Sequence, residues 1–244
     1  MRERKRAVKN SRLDLWIFGS LFPELELLVR ELQAREEEEK AGVRWFLAEA
    51  RKMRVGLGLT GVGVASASFS VGLLLSHSPS PKAIMVGSCG ALPGSGLKVG
   101  DLVVASSEIF SELGVLEKPG IGNTEGLIGL GLEQEIPLEE KLGVSLLQAA
   151  RGLGRVSQGR LITVAGVSAS IPQARARRKR FGALAENMEG YGLALAARKI
   201  GFEAAEIRGV SNKAGERDRA LWDLNRAQVL AQRAALTYIE GSLP

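Results

Sequence analysis

The chain has 244 residues, 45% of them hydrophobic, enough to bury a sizeable core in one large domain. Its formal charge is +6, but Arg2, Arg4, Lys5, Arg6, Lys9 and Arg12 against Glu3 place most of it in a basic tail, residues 1–12, read as disordered. The near-neutral remainder removes most of the case for a nucleic-acid partner, and none is expected. A single cysteine, Cys89, excludes an internal disulfide and suits a reducing, cytoplasmic setting; one histidine and no thiol cluster leave no metal site.

In chain order, residues 13–18 read as a strand turned by Gly19-Ser20, and 22–35 as an amphipathic helix with Pro23 in its first turn. Residues 43–47 and 55–59 read as strands. Thr60-Gly61-Val62-Gly63 opens a helix ending near His77, and Ser78-Pro79-Ser80-Pro81 breaks it. The uncharged stretch 55–81 has the length of a membrane span, but its Gly and Ser content reads better as strand, turn and buried helix, so no membrane partner is expected. Residues 83–87 are wholly apolar, as in a central strand buried on both faces.

Residues 101–109 form the next strand. The Gly-rich stretch 114–137 reads as a surface excursion or lid. A helix over 138–153, a strand over 161–167 and a basic helix over 172–181 follow; Arg175, Arg177, Arg178, Lys179 and Arg180 are expected on a solvated face. Residues 184–187 are extended, 190–199 a helix, 203–211 a strand and 218–238 the closing helix. Alternating strands and helices predict an α/β fold: a three-layer sandwich whose mixed, twisted central sheet is flanked by helices.

Gly61-Val62-Gly63 follows a strand and opens a helix, like a dinucleotide fingerprint. Such a site calls for an acid about twenty residues on to hold the ribose, and Ser80 to Met85 offers none. Close packing at the turn is the better reading, and no cofactor is expected.

Four separated segments carry more information. Gly19-Ser20-Leu21-Phe22-Pro23-Glu24 sits at the first strand-to-helix turn. Gly87-Ser88-Cys89-Gly90-Ala91-Leu92 leads to Leu97-Lys98-Val99-Gly100-Asp101. Glu186-Asn187-Met188-Glu189-Gly190 precedes Glu206-Ile207-Arg208-Gly209-Val210-Ser211-Asn212. In this order they resemble the purine nucleoside phosphorylase and nucleosidase superfamily. Together with Gly215-Glu216-Arg217-Asp218-Arg219 and Trp222 they are most similar to its futalosine hydrolases, nucleosidases of the alternative menaquinone pathway. Two positions depart from the family pattern: Tyr191 replaces a small residue, and Glu112 stands where Asp is commoner.

The resemblance implies a single nucleosidase domain over 13–244, a homo-oligomer whose neighbour can complete the 5′ pocket, and a small-molecule nucleoside as substrate. It implies Glu24 as the base that deprotonates the attacking water, and Glu189 as acceptor for the ribose 2′- and 3′-hydroxyls, since a carboxylate has two acceptor oxygens. Met188 would pack on sugar or base. Asn212 would be the second catalytic residue: its amide accepts from a protonated purine N7 and donates to O6, a pattern that fits a 6-oxopurine, where an Asp would fit adenine. Ser88 and Gly90 lie at the carboxyl end of the central strand, the favoured ligand edge of an α/β sheet. Trp222 would line the 5′ side, with Arg208, Arg217 or Arg219 pairing with an aryl carboxylate on the substrate.

The first glycine loop carries no basic residue to hold phosphate, and Glu24 would repel an anion, so water is the expected nucleophile. The products would be hypoxanthine and dehypoxanthine futalosine. The alternatives are another purine nucleosidase, of methylthioadenosine/adenosylhomocysteine or inosine type, a phosphorylase, or a binding protein that has lost catalysis.

Overall fold

A computed structural model describes residues 12–118, 120–127 and 129–241; the basic tail lies outside them except for Arg12. The strands are β1 (Leu15–Gly19), β2 (Arg35–Glu36), β3 (Trp45–Ala50), β4 (Met53–Leu59), β5 (Lys82–Ala91), β6 (Leu102–Phe110), β7 (Val115–Lys118), β8 (Ile121–Asn123), β9 (Glu135–Pro137), β10 (Val156–Thr163), β11 (Ala185–Asn187) and β12 (Glu203–Lys213). The helices are α1 (Glu26–Glu31), α2 (Val64–His77), α3 (Glu140–Ala150), α4 (Ile171–Phe181), α5 (Gly190–Ile200) and α6 (Leu224–Gly241).

The sheet runs β11-β10-β6-β12-β5-β1-β4-β3-β2, with β9 added to β6, and mixes parallel with antiparallel pairs. Alternation along β1 divides the core. Leu15 and Ile17 face one side, where they join Leu28, Leu142, Leu146 and Ala235 from α1, α3 and α6. Trp16 and Phe18 face the other, against Val71, Leu74 and Leu193 from α2 and α5. This is the three-layer α/β arrangement expected from the sequence.

β5 positions the site. One edge pairs with β12 along its length; the other pairs with β1 only over Ala83–Met85 and with β11 only at Gly90 and Ala91. The sheet therefore forks at residues 86–89. Since β11 also pairs with β10, strands β5, β12, β6, β10 and β11 close into a ring beyond the fork.

Several elements differ from the sequence reading. The single helix expected over 22–35 is a 3-10 turn, Phe22–Glu24, followed by the short α1; Leu25 between them has φ −124°, outside the helical range. The strand expected at 161–167 ends at Thr163. The closing helix begins at Leu224, because Asp218 caps a separate 3-10 turn over Arg219–Leu221 and Trp222 is extended. The Gly-rich excursion holds the β7–β8 hairpin and β9.

Candidate active site

The fork opens onto a cavity of about 260 Å³. Glu24, Asn212, Ser88, Gly90, Met188, Glu189 and Trp222, separate in sequence, all line it. Glu24 enters from the turn after β1, which α6 clamps: Gln232 donates to Pro23 O at 2.9 Å and accepts from Leu27 N at 2.8 Å. The Glu24 carboxylate is 4% exposed. Its Oε2 accepts from Ser20 N at 2.7 Å and Ser20 Oγ at 2.5 Å, and its Oε1 from Ser88 N at 3.1 Å. Ser88 is free to donate because it sits in the fork, where that edge of β5 has no partner strand.

Glu189 follows β11. Its Oε1 accepts from Gly63 N at 3.1 Å and its Oε2 from Arg208 Nη1 at 3.3 Å. Gly63, at φ +97°, is the N-cap of α2, so the glycine loop directs its amide to the protein's own carboxylate rather than to a cofactor phosphate. Burial raises the Glu189 pKa above its usual value, with Arg208 and the Gly63 amide pulling the other way.

Asn212 owes its direction to a bulge. Val210 pairs with Cys89 and Asn212 with Gly90, so Ser211 is the extra residue and Asn212 turns to the face opposite Val210. Asn212 Oδ1 accepts from Ser211 Oγ at 2.8 Å, and Nδ2 donates to Lys213 O at 2.9 Å. One lone pair and one N–H of the amide stay open for a ligand. At the rim, Arg217 lies over the Trp222 ring, 5.4 Å from its centroid, and lines the cavity.

Arg208 does not line the cavity. It is 1% exposed, beneath the cavity, with Nε donating to Glu206 Oε1 at 2.6 Å and Nη1 to Glu189. Burial works against its charge, yet Glu206, Glu189 and Glu24 together hold its pKa above the ordinary value. It sits on β12 opposite Gly87, where a Cβ would lie 2.5 Å from Arg208 Nη1, and its charge is paired with the protein's own Glu189 and Glu206. Arg177 is a second correction. Of the basic helix α4, Arg175, Lys179 and Arg180 are exposed, but Arg177 is buried, paired with Glu112 at 2.9 Å and Glu186 at 3.1 Å.

The sequence reading gave no role to the buried polar layer below the site. Glu108 accepts from Thr163 Oγ1 and Asn187 Nδ2, both at 2.7 Å. Glu206, wholly buried, has Oε2 without a hydrogen-bond partner. A Cβ on Gly190 would lie 2.3 Å from that atom and 2.5 Å from Glu108 Oε1, so the two carboxyl groups converge under Gly190. Burial, and then Glu206, push the Glu108 pKa well above the carboxylate range. Cys89 is buried beside them and its thiol is pushed up, as befits a bystander. Among the described residues no cluster of His, Cys, Asp or Glu could hold a metal ion, and no helix is long and apolar enough to cross a membrane.

Residues 15–240 match the phosphorylase superfamily. A futalosine hydrolase of Thermus thermophilus is 34% identical over 186 residues, 72% of this chain and 76% of that one. One of Streptomyces coelicolor is 36% identical over 146 residues, 59% and 57% of the two chains. In fold, the chain is similar to a methylthioadenosine/adenosylhomocysteine nucleosidase of Colwellia psychrerythraea in complex with adenine: TM-score 0.81, 21% identity, 96% and 97% of the chains covered. It is also similar to one of Helicobacter pylori with a butylthio-immucillin: TM-score 0.84, 16% identity, 94% and 98% covered. The chain belongs to the phosphorylase superfamily and, within it, to the futalosine hydrolase family of nucleoside N-glycosyl hydrolases.

Proposed function

We propose that the protein hydrolyses the N-glycosidic bond of futalosine, releasing hypoxanthine and dehypoxanthine futalosine in menaquinone biosynthesis. The observation that carries this reading is the convergence of Glu24, Glu189 and Asn212 on one cavity. Breaking the bond passes through an oxocarbenium-like sugar, as in other glycoside hydrolyses. Glu24, fixed by three donors, orients a water and takes its proton as the water attacks C1′. Glu189 accepts from the ribose hydroxyls, and Met188 packs on the sugar or base. Asn212 supports the departing purine, donating to O6 and accepting from N7 as that nitrogen takes a proton from solvent, to which Glu24 returns the proton it took from the attacking water. Ser88 and Gly90 let the backbone approach the base. The steps use these side chains and water alone. A second copy of the chain is proposed to complete the 5′ pocket.

The test is chromatography of products from futalosine, inosine and methylthioadenosine, each in phosphate-free buffer and in excess phosphate. Futalosine consumed fastest, with free hypoxanthine and no need for phosphate, is expected. Strict dependence on phosphate, or preference for methylthioadenosine, would reverse the assignment.

A further inference from the structure

Glu186 belongs to the same segment as Met188 and Glu189 but has no part in the chemistry described above. It is 5% exposed and lines the cavity. Its place in the sheet is informative. Gly90 on β5 pairs with Asn212 of β12 on one side and with Glu186 of β11 on the other. Paired residues on neighbouring strands project to the same face. Asn212, Gly90 and Glu186 therefore form one row, an amide and a carboxylate on either side of a residue without a side chain. Strands lie about 4.8 Å apart, so the two flanking backbones are separated by roughly 10 Å, and Ala214, 3.4 Å from where a Cβ on Gly90 would stand, borders the space between them.

We propose that Glu186 is a specificity-determining residue that accepts a hydrogen bond from N1–H of a 6-oxopurine. This deepens, and rests on, the reading of the cavity as a purine nucleoside site. Asn212 reads the N7 and O6 edge, and Glu186 the adjoining N1. The two common purine types differ there: a 6-oxopurine carries a proton on N1 and donates, whereas a 6-aminopurine presents a lone pair and needs a donor.

The surroundings of Glu186 favour an acceptor. Its Oε1 accepts from Ser168 N at 2.9 Å, and its Oε2 from Ser168 Oγ at 2.6 Å and Arg177 Nη1 at 3.1 Å. Arg177 thus sets a buried positive charge against the carboxylate on the side away from the cavity, and Glu112 shares it. Three donors fix the carboxylate plane, and Oε1, with one bond accepted, keeps a lone pair for a ligand. A 6-aminopurine in the same pose would set its N1 lone pair against this oxygen and leave two buried acceptors facing each other. Sites built around a specific hydrogen bond reject analogues lacking the partner far more strongly than apolar pockets do.

The experiment measures dissociation constants of hypoxanthine and adenine by calorimetry, with futalosine turnover alongside, for the full-length wild type and Glu186→Gln. Free bases carry no 5′ group, so the readout is independent of the rest of the substrate. The wild type is expected to prefer hypoxanthine by roughly 10²-fold or more. A glutamine amide can donate or accept at N1, so the preference should fall by about tenfold or more in Glu186→Gln, chiefly through tighter adenine binding. A second measurement needs no variant: 1-methylhypoxanthine, which cannot donate from N1, should bind the wild type at least about tenfold more weakly than hypoxanthine. An unchanged preference in a folded Glu186→Gln, or equal binding of the methylated base, overturns the proposal. Futalosine turnover with an unchanged preference sinks Glu186 and leaves the substrate assignment standing. Selectivity for hypoxanthine without futalosine turnover does the reverse.

Discussion

Arg208 donates from Nη1 to Glu189 Oε2 at 3.3 Å, so the proposed ribose carboxylate is held from below by a cation with almost no contact with solvent. The same guanidinium binds Glu206 at 2.6 Å. Removing one member of a buried ion pair strands its partner's charge and costs about 3–5 kcal/mol. Arg208→Met strands two carboxylates at once. Its free energy of unfolding, from denaturant titration at neutral pH, should fall by at least about that much. A loss below about 1 kcal/mol, as for exposed pairs, would mean that water reaches these carboxylates.

Glu24→Gln keeps the shape of the side chain and its bond from Ser88, but removes the base. Turnover of the nucleoside should fall by roughly 10²–10⁴-fold. Hypoxanthine affinity should change little, because the base is held at the other end of the cavity. Steady-state rates and calorimetry check the two halves separately. A comparable loss in both would identify Glu24 as a binding residue and remove it as the base.

The Glu108–Glu206 pair makes stability depend on pH with a definite sign. The Glu108 pKa is raised in the folded protein, and the unfolded chain releases that proton in the ordinary carboxylate range. Between those values the folded state binds the extra proton, so stability falls as pH rises, by up to about 1.4 kcal/mol per unit per proton. Denaturation at a series of pH values rising from the ordinary carboxylate range should show a decline that Glu108→Gln flattens, whatever that variant does to stability at a single pH. Parallel profiles would show that Glu108 does not retain the proton. The raised Glu189 pKa acts on function in the same window: ribose binding uses the charged form, so the acid limb of kcat/KM should lie above the ordinary carboxylate range.

The strands of the core were largely legible because buried strands announce themselves: the apolar run at 83–87 is the first half of β5. That these residues would meet at one cavity was legible only through the family resemblance, since Glu24 alone reads as any first-turn glutamate. Three things were hidden. The sequence could not show that β5 forks, which depends on pairing with strands far apart in the chain. It could not show the bulge at Ser211, which sets the face of Asn212 and is a matter of register. It could not separate Arg177 and Arg208, both buried, from the solvated arginines around them. A helix or strand rich in charge reads as a surface unless its partners are known, and those partners come from other segments for both of Arg177's carboxylates (Glu112 and Glu186) and for one of Arg208's two (Glu189, with Glu206 on the same strand).

Three arginines in the carboxyl-terminal segments were candidates for an aryl carboxylate on the 5′ extension, and their positions now separate them. Arg208 is occupied below the site. Arg219 lies in the turn before Trp222 and is exposed, outside the residues that line the cavity. Arg217 lines it, and its guanidinium over the Trp222 ring leaves its edges open for a bidentate contact. A charge-assisted bond of this kind contributes about 1.5–3 kcal/mol, or roughly tenfold to 150-fold in affinity. Arg217→Ala should therefore raise KM for futalosine by about that factor and leave inosine, which has no carboxylate, nearly unchanged. Because Arg217 is exposed, the melting temperature should hardly move. Arg219→Ala serves as the control and should leave both substrates alone. Equal losses on futalosine and inosine in Arg217→Ala would assign Arg217 to supporting Trp222 and send the search for the carboxylate's partner to a neighbouring subunit.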